Sequence, residues 1–164
     1  MLNIVLLSPE KPHNTGAIGR TCMCTNSKLH IIKPFSFDLS DKGVKRAGLD
    51  YWHRVDVTVY ENYEEFLFKN NYPNVYYATT KALQTYADVT YKDNDFIFFG
   101  SEGSGIPEEI LVANKNNCIR IPMIENERSL NLANSASILL YEALRQNDFF
   151  ELEKKGNLHK LKWN

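Results

Sequence analysis

Six short runs of apolar character recur along the chain, several of them apolar at nearly every position: Asn3–Leu7, Leu29–Ile32, Val57–Tyr60, Val75–Thr79, Phe96–Phe99 and Cys118–Ile121. They are rich in β-branched, leucine and aromatic side chains. A strand with one wetted face alternates apolar and polar residues; a strand apolar throughout is covered on both faces, as in a parallel sheet. Between these runs the pattern predicts helices over Ala17–Asn26, Asp41–Ala47, Tyr63–Lys69, Pro107–Asn114 and Asn131–Gln146. Pro107 suits a first helical position, and Glu108 and Glu109 favour the positive end of a helix. In the last segment Leu132, Ala136, Leu139, Leu140, Ala143 and Leu144 form one apolar stripe, with Ser129 or Asn131 placed to cap its start. Strands interleaved with helices predict an α/β domain, its mostly parallel sheet sandwiched by helices.

The length of 164 residues predicts one domain over 1–164, with a tail from about residue 147. A chain this long buries roughly 68–70% of its unfolded surface, enough for one core. No apolar run approaches the roughly 20 residues of a membrane span. The start, MLNIVLLSPEKPHNTG, has no basic leader and no small-residue cleavage site, so it reads as a first strand. Cys22 and Cys24 are one residue apart, short of the spacing of a zinc hairpin, and the four histidines are scattered at 13, 30, 53 and 159. These features predict a reduced, cytoplasmic protein with no metal and no membrane contact. Nineteen basic and 20 acidic residues leave a net charge of −1. That excludes bulk attraction to nucleic acid but not a local basic patch. The tail, ending Lys160-Leu161-Lys162-Trp163-Asn164, is basic and amphiphilic.

Three segments at strand ends concentrate Gly, Asn, Ser and Pro. They are Asn14–Thr21, Phe99–Pro107, and Ile121–Met123 with Arg128–Ser135. The second has three glycines in six residues, Gly100, Gly103 and Gly105, and runs from a strand into a helix start. Open α/β sheets place ligands there, and glycine lets a ligand approach the backbone. Ile106 follows Gly105 where a phosphate loop needs Lys, and the glycine order is not that of a dinucleotide fingerprint. In the first segment Asn14 or Thr15 is placed to cap a helix carrying Arg20, and in the third Asn131 and Asn134 flank a helix start. Singly, these are ordinary turn and capping residues. Together they point to one composite site.

Asn14-Thr15-Gly16…Arg20, Phe99-Gly100…Glu102…Gly105 and Ile121-Pro122-Met123…Ser129-Leu130-Asn131…Ala133…Ala136 resemble, in order and spacing, the three motifs of the SPOUT superfamily of RNA methyltransferases. The resemblance covers roughly residues 1–146. The short length, the start MLNIVL, the stretch Arg46–Tyr51 and the late Tyr141-Glu142 resemble the TrmL-like branch, the minimal tRNA (cytidine/uridine) 2′-O-methyltransferases acting at the anticodon wobble nucleotide. This resemblance implies an α/β fold with a C-terminal trefoil knot. It implies a homodimer with active sites at the interface, and S-adenosyl-L-methionine as cofactor, leaving as S-adenosyl-L-homocysteine. It implies cofactor contacts from Ala78, Thr79, Gly100, Gly105, Ile121, Met123, Ser129 and Leu130. Arg20 matches the catalytic arginine, with Asn14 and Asn131 beside it. tRNA is the implied partner, with leucine tRNAs as the expected substrates. Where this chain has Ser101-Glu102-Gly103-Ser104, members of this branch often have Pro-Glu-Thr-Arg.

Methyl transfer to a ribose 2′-hydroxyl needs in-line geometry and a group that stabilises the oxygen's growing charge. A guanidinium keeps its charge, so Arg20 is expected to position a phosphate and stabilise negative charge, with the proton passing to a neighbour or water. Glu102 is expected to cap or pair rather than carry a proton. Lys42, Lys45, Arg46, His53 and Arg54 cluster with Tyr51 and Trp52 within thirteen residues. Cations with aromatics suit a single-stranded RNA loop, and Lys45, Arg46, Arg54 and Tyr141 are the RNA-binding candidates. The same residues could form a solvated helix face over core aromatics. The rival readings are the same reaction on another tRNA site or on rRNA, and a non-catalytic RNA-binding protein.

Overall fold

The computed structural model describes residues 1–39 and 50–163. The expected helix Asp41–Ala47, and with it Lys42, Lys45 and Arg46, lies outside the described residues. Among those described, the order is β1 (Asn3–Leu7), α1 (Pro12–Cys24), β2 (Lys28–Ile32), a 3-10 turn (Trp52–Arg54), β3 (Val57–Tyr60) and α2 (Tyr63–Lys69). Then follow β4 (Val75–Ala78), β5 (Phe96–Phe99), α3 (Glu108–Ala113), a 3-10 turn (Lys115–Asn117), β6 (Cys118–Ile119) and α4 (Leu132–Gln146). The strands form one sheet in the order β3-β2-β1-β5-β4-β6, with every pairing parallel.

Both faces of the sheet are covered, which is why the strands read as unbroken apolar runs. On one face Ile4, Leu6, Leu29, Ile31, Ile97 and Phe99 pack with Ile18 and Cys22 of α1 and the Ala136–Leu144 stripe of α4. On the other, Val5, Ile32, Phe96 and Phe98 pack with Phe66 of α2 and Leu111 of α3. Successive residues of one strand alternate between these layers, as the pleat requires. His30 points into the second layer, where Tyr60, Phe66 and Phe96 surround its ring.

Several boundaries differ from expectation; α3 begins at Glu108 with Pro107 as its N-cap rather than its first residue, and α1 ends at Cys24 rather than Asn26. α1 begins at Pro12, five residues earlier than Ala17, because Pro12 occupies its first turn and presets the helical φ. Asn14, Thr15 and Gly16 are therefore inside the helix, and Asn14 and Thr15 do not cap it; Lys11 is the N-cap and makes no side-chain capping bond. Strands β4 and β6 stop short of Thr79 and Ile121, so both residues lie just past a strand end. α4 begins as expected, with the Asn131 carboxamide oxygen accepting from the N–H groups of Ala133 and Asn134 at 2.9 and 3.2 Å.

Candidate active site

Strand order reverses beside β1: the chain moves outward through β2 and β3, then returns to build β4, β5 and β6 on the other side. At such a switch the loops after neighbouring strands diverge and leave a crevice at the carboxyl ends. Here that crevice is a cleft of about 670 Å³. Ala78 and Thr79 enter it after β4, Phe99–Ile106 after β5, Ile119, Ile121 and Met123 after β6, and Arg128–Leu132 ahead of α4. Lys11 and Asn14 close it from α1. All eight cofactor candidates, Ala78, Thr79, Gly100, Gly105, Ile121, Met123, Ser129 and Leu130, line this one cleft, with Asn14 and Asn131.

The glycine loop is folded back on itself. The Gly105 N–H donates to the Ser101 carbonyl at 3.0 Å, and the Ser101 and Ser104 hydroxyls are 2.7 Å apart. A Cβ on Gly100 would lie 2.0 Å from the Gly105 carbonyl carbon, so no other residue fits. Gly105 has φ +73°, and a Cβ there would meet nothing within 4 Å. Its backbone thus faces open space in a conformation that favours glycine.

A line of polar side chains ties the segments together. The Asn131 amide donates to the Asn14 carboxamide oxygen at 3.0 Å, and the Asn14 amide donates to Glu102 Oε1 at 2.9 Å. Glu102 also accepts from the backbone N–H groups of Glu10, at 2.8 Å, and Lys11, at 3.2 Å. Burial pushes the Glu102 carboxyl up, but the N–H of Glu10, the Asn14 amide and further backbone donors together outweigh it and hold the group below the usual carboxylate range. Glu102 thus accepts from the backbone at the entry to α1 and from the Asn14 amide, joining the glycine loop to that helix.

Arg20 stands apart. It is exposed on α1 and does not line the cleft. Six residues separate it from Asn14, about 9 Å along the axis and about 240° around it. Its guanidinium sits 5.4 Å from the centroid of the Tyr51 ring, whose hydroxyl donates to the Gly16 carbonyl at 3.0 Å. Burial raises the Tyr51 phenol, with the charge of Arg20 opposing it. Trp52 is 6% exposed and packs against Gly19, where a Cβ would lie 2.6 Å from Cζ3 of the indole. That ring is core and cannot stack a base, so the aromatic half of the expected RNA patch reduces to Tyr51. His53 and Arg54 are exposed beside it, and Tyr141 is exposed on α4.

Sequence reasoning missed Lys11, Thr80, Lys81 and Arg128 as lining residues. Arg128 falls inside a segment already singled out and could have been read from it. Lys81 could not, since it enters through a turn after β4 and pairs with Glu108 at 2.6 Å. Among the described residues no group of three His, Cys, Asp or Glu could hold a metal ion. None of the described helices is long and apolar enough to cross a membrane.

Residues 1–141 match the SpoU rRNA methylase family. The chain belongs to that family. The tRNA (cytidine(34)-2′-O)-methyltransferase of Escherichia coli K12 is 46% identical to this SpoU methylase over 147 residues, 89% of this chain and 94% of the other. Among solved structures, one described as giving structural insights into the 2-OH methylation of C/U34 on tRNA superposes with TM-score 0.83. It is 36% identical and covers 90% of this chain and 97% of its own. An AdoMet-bound rRNA methyltransferase from Sinorhizobium meliloti superposes with TM-score 0.75 at 25% identity, over 88% of this chain and 56% of its own. The parallel α/β sheet is shared with these structures.

Proposed function

We propose that the chain catalyses S-adenosyl-L-methionine-dependent methylation of the ribose 2′-hydroxyl of the wobble nucleotide, a cytidine or uridine, in tRNA. The observation that carries this reading is the convergence of eight separately placed cofactor candidates on one cleft. Kinship with a protein named for that reaction supplies the substrate.

The cleft fits the cofactor. Its volume is that of a small-molecule pocket. The space above Gly105 lets a ligand lie on the backbone, while Ile119, Ile121 and Leu139 supply an apolar floor. Ala78, Thr79, Gly100, Gly105, Ile121, Met123, Ser129 and Leu130 would hold it. Once bound, S-adenosyl-L-methionine supplies an electrophilic methyl group on a sulfonium and leaves as S-adenosyl-L-homocysteine. The protein's share is positioning. Asn131, Asn14 and Glu102 fix the walls, and a guanidinium orients a phosphate and stabilises charge on the attacking oxygen while the proton passes to a neighbour or water.

The working unit is a homodimer in the cytoplasm. In this reading Arg20, exposed on α1 and outside its own cleft, serves a site completed at the subunit boundary. Arg54 and Tyr141 contact RNA with Lys45 and Arg46, and the C-terminal segment carries the knot. Leucine tRNAs are the expected substrates. Nucleoside mass spectrometry of tRNA from cells with and without the gene tests the proposal. Loss of one 2′-O-methylated wobble nucleoside is expected, and identical nucleoside profiles would overturn it.

A further inference from the structure

We infer that residues 154–163 form a second RNA-binding element, a lysine-rich strap with a terminal indole that grips the tRNA beyond the cleft. The inference rests on the tRNA reading and extends it. It begins with charge. Residues 154–163 hold Lys154, Lys155, Lys160 and Lys162 and no acidic residue. Without these four, the chain's nineteen Lys and Arg fall to fifteen against twenty Asp and Glu, a net charge of −5. A domain of that charge repels a polyanion at long range, and the four lysines of this tail, of which Lys155, Lys160 and Lys162 have no paired acid among the described residues, offset it.

The structure leaves the tail free for such a role. Phe149 and Leu152 pack on the α1–α4 layer and anchor its root. Beyond them Leu161 is 76% and Trp163 72% exposed. Among the described residues the side chains of Lys160, Lys162 and Trp163 make no hydrogen bond, ion pair or ring contact, while Lys154 pairs only with the exposed Asp148, at 2.7 Å. An unpartnered indole among lysines is the combination that binds single-stranded RNA, cations on the phosphates and a ring under a base. Reach is sufficient. The cleft lies at the N-terminal end of α4 and the tail leaves its C-terminal end, about 22 Å away for 15 residues. Ten extended residues span about 33 Å. The tail also lies outside residues 1–141, the span shared with the family at large.

The test uses the full chain with Lys154, Lys155, Lys160 and Lys162 all changed to Ala, and separately Trp163→Ala. Binding of an unmodified anticodon-bearing tRNA is titrated across salt concentrations, and S-adenosyl-L-methionine binding is followed by calorimetry. The four-lysine variant is expected to bind tRNA about tenfold or more weakly and to lower the salt slope by about 2–3. Trp163→Ala is expected to lose about fivefold or more with the slope kept. Cofactor binding stays at the parent value in both. Unchanged tRNA affinity and slope in both variants would overturn the inference, as would binding of the parent chain to anionic phospholipid vesicles that the variants lose while keeping tRNA. A parent chain that binds neither cofactor nor tRNA would instead refute the proposed function itself.

Discussion

Asn14 is 2% exposed and uses both ends of its carboxamide, accepting from Asn131 and donating to Glu102. Asn14→Ala should leave both partners short of a bond, cost about 1–3 kcal/mol of stability, and weaken S-adenosyl-L-methionine binding in calorimetry. Asn14→Asp would set a second carboxylate against Glu102 and do worse. The importance of Asn14 was legible from its company of Gly and Thr, but its partner was not, because Glu102 lies 88 residues away. Arg20 gives the opposite expectation. It lies outside the cleft, so Arg20→Lys should keep cofactor affinity while lowering kcat by about 10²–10³, since the charge stays but the two-pronged geometry goes. Full turnover in that variant would remove Arg20 from the chemistry. His30 makes a pH prediction. Its Nε2 lies 3.1 Å from the Asn3 carboxamide oxygen and its Nδ1 lies 2.8 Å from the Tyr60 hydroxyl, inside an aromatic layer. Burial, with the charge of Lys28 adding to it, pushes the imidazole down from 6.5 to about 3. A depressed folded value means the unfolded chain takes the proton first. The stabilisation is complete above pH 6.5 and is lost as pH falls toward 3, at about 1.4 kcal/mol per unit. Urea unfolding between pH 7 and 4 should show that slope, and His30→Asn should flatten it.

At the level of elements, the strands were the most legible feature, because a residue run covered on both faces carries its signal in every position. Helix α1 was the least. Gly16 falls ahead of the expected start at Ala17, yet it lies inside the helix with Gly19. Gly19 is there because Trp52, thirty-three residues on, occupies the space a Cβ would take. Helix propensity yields to that contact, which no local pattern reveals. Gly19→Ala therefore should not stabilise the helix as an exposed substitution would. It should force Trp52 aside and cost about 1–3 kcal/mol in thermal or urea unfolding. The glycine loop after β5 behaves as its composition suggests, with the detail that Gly100 and Gly105 differ in purpose. Gly100 leaves room for the loop's own backbone, and Gly105 supplies the positive φ. Gly100→Ala should abolish cofactor binding by opening the turn, which calorimetry would register even where the fold survives.

On the scale of the molecule, the sequence predicted a mostly parallel α/β sheet but not its order. Placing β5 between β1 and β4 is a long-range choice, and it brings the ends of β4, β5 and β6 to the same side as the start of α1. The three motifs thus meet without being near one another in the chain. The charge distribution also emerges only on this scale, with a near-neutral total concealing a net charge of −5 outside the four lysines of residues 154–163. The most direct test of the account incubates the purified chain with unmodified tRNA and methyl-labelled S-adenosyl-L-methionine, then maps the label by nuclease digestion and mass spectrometry. The account predicts one labelled methyl per tRNA, on the ribose 2′-oxygen of the wobble nucleotide. Label on a base, on another ribose, or on no nucleotide at all would contradict it.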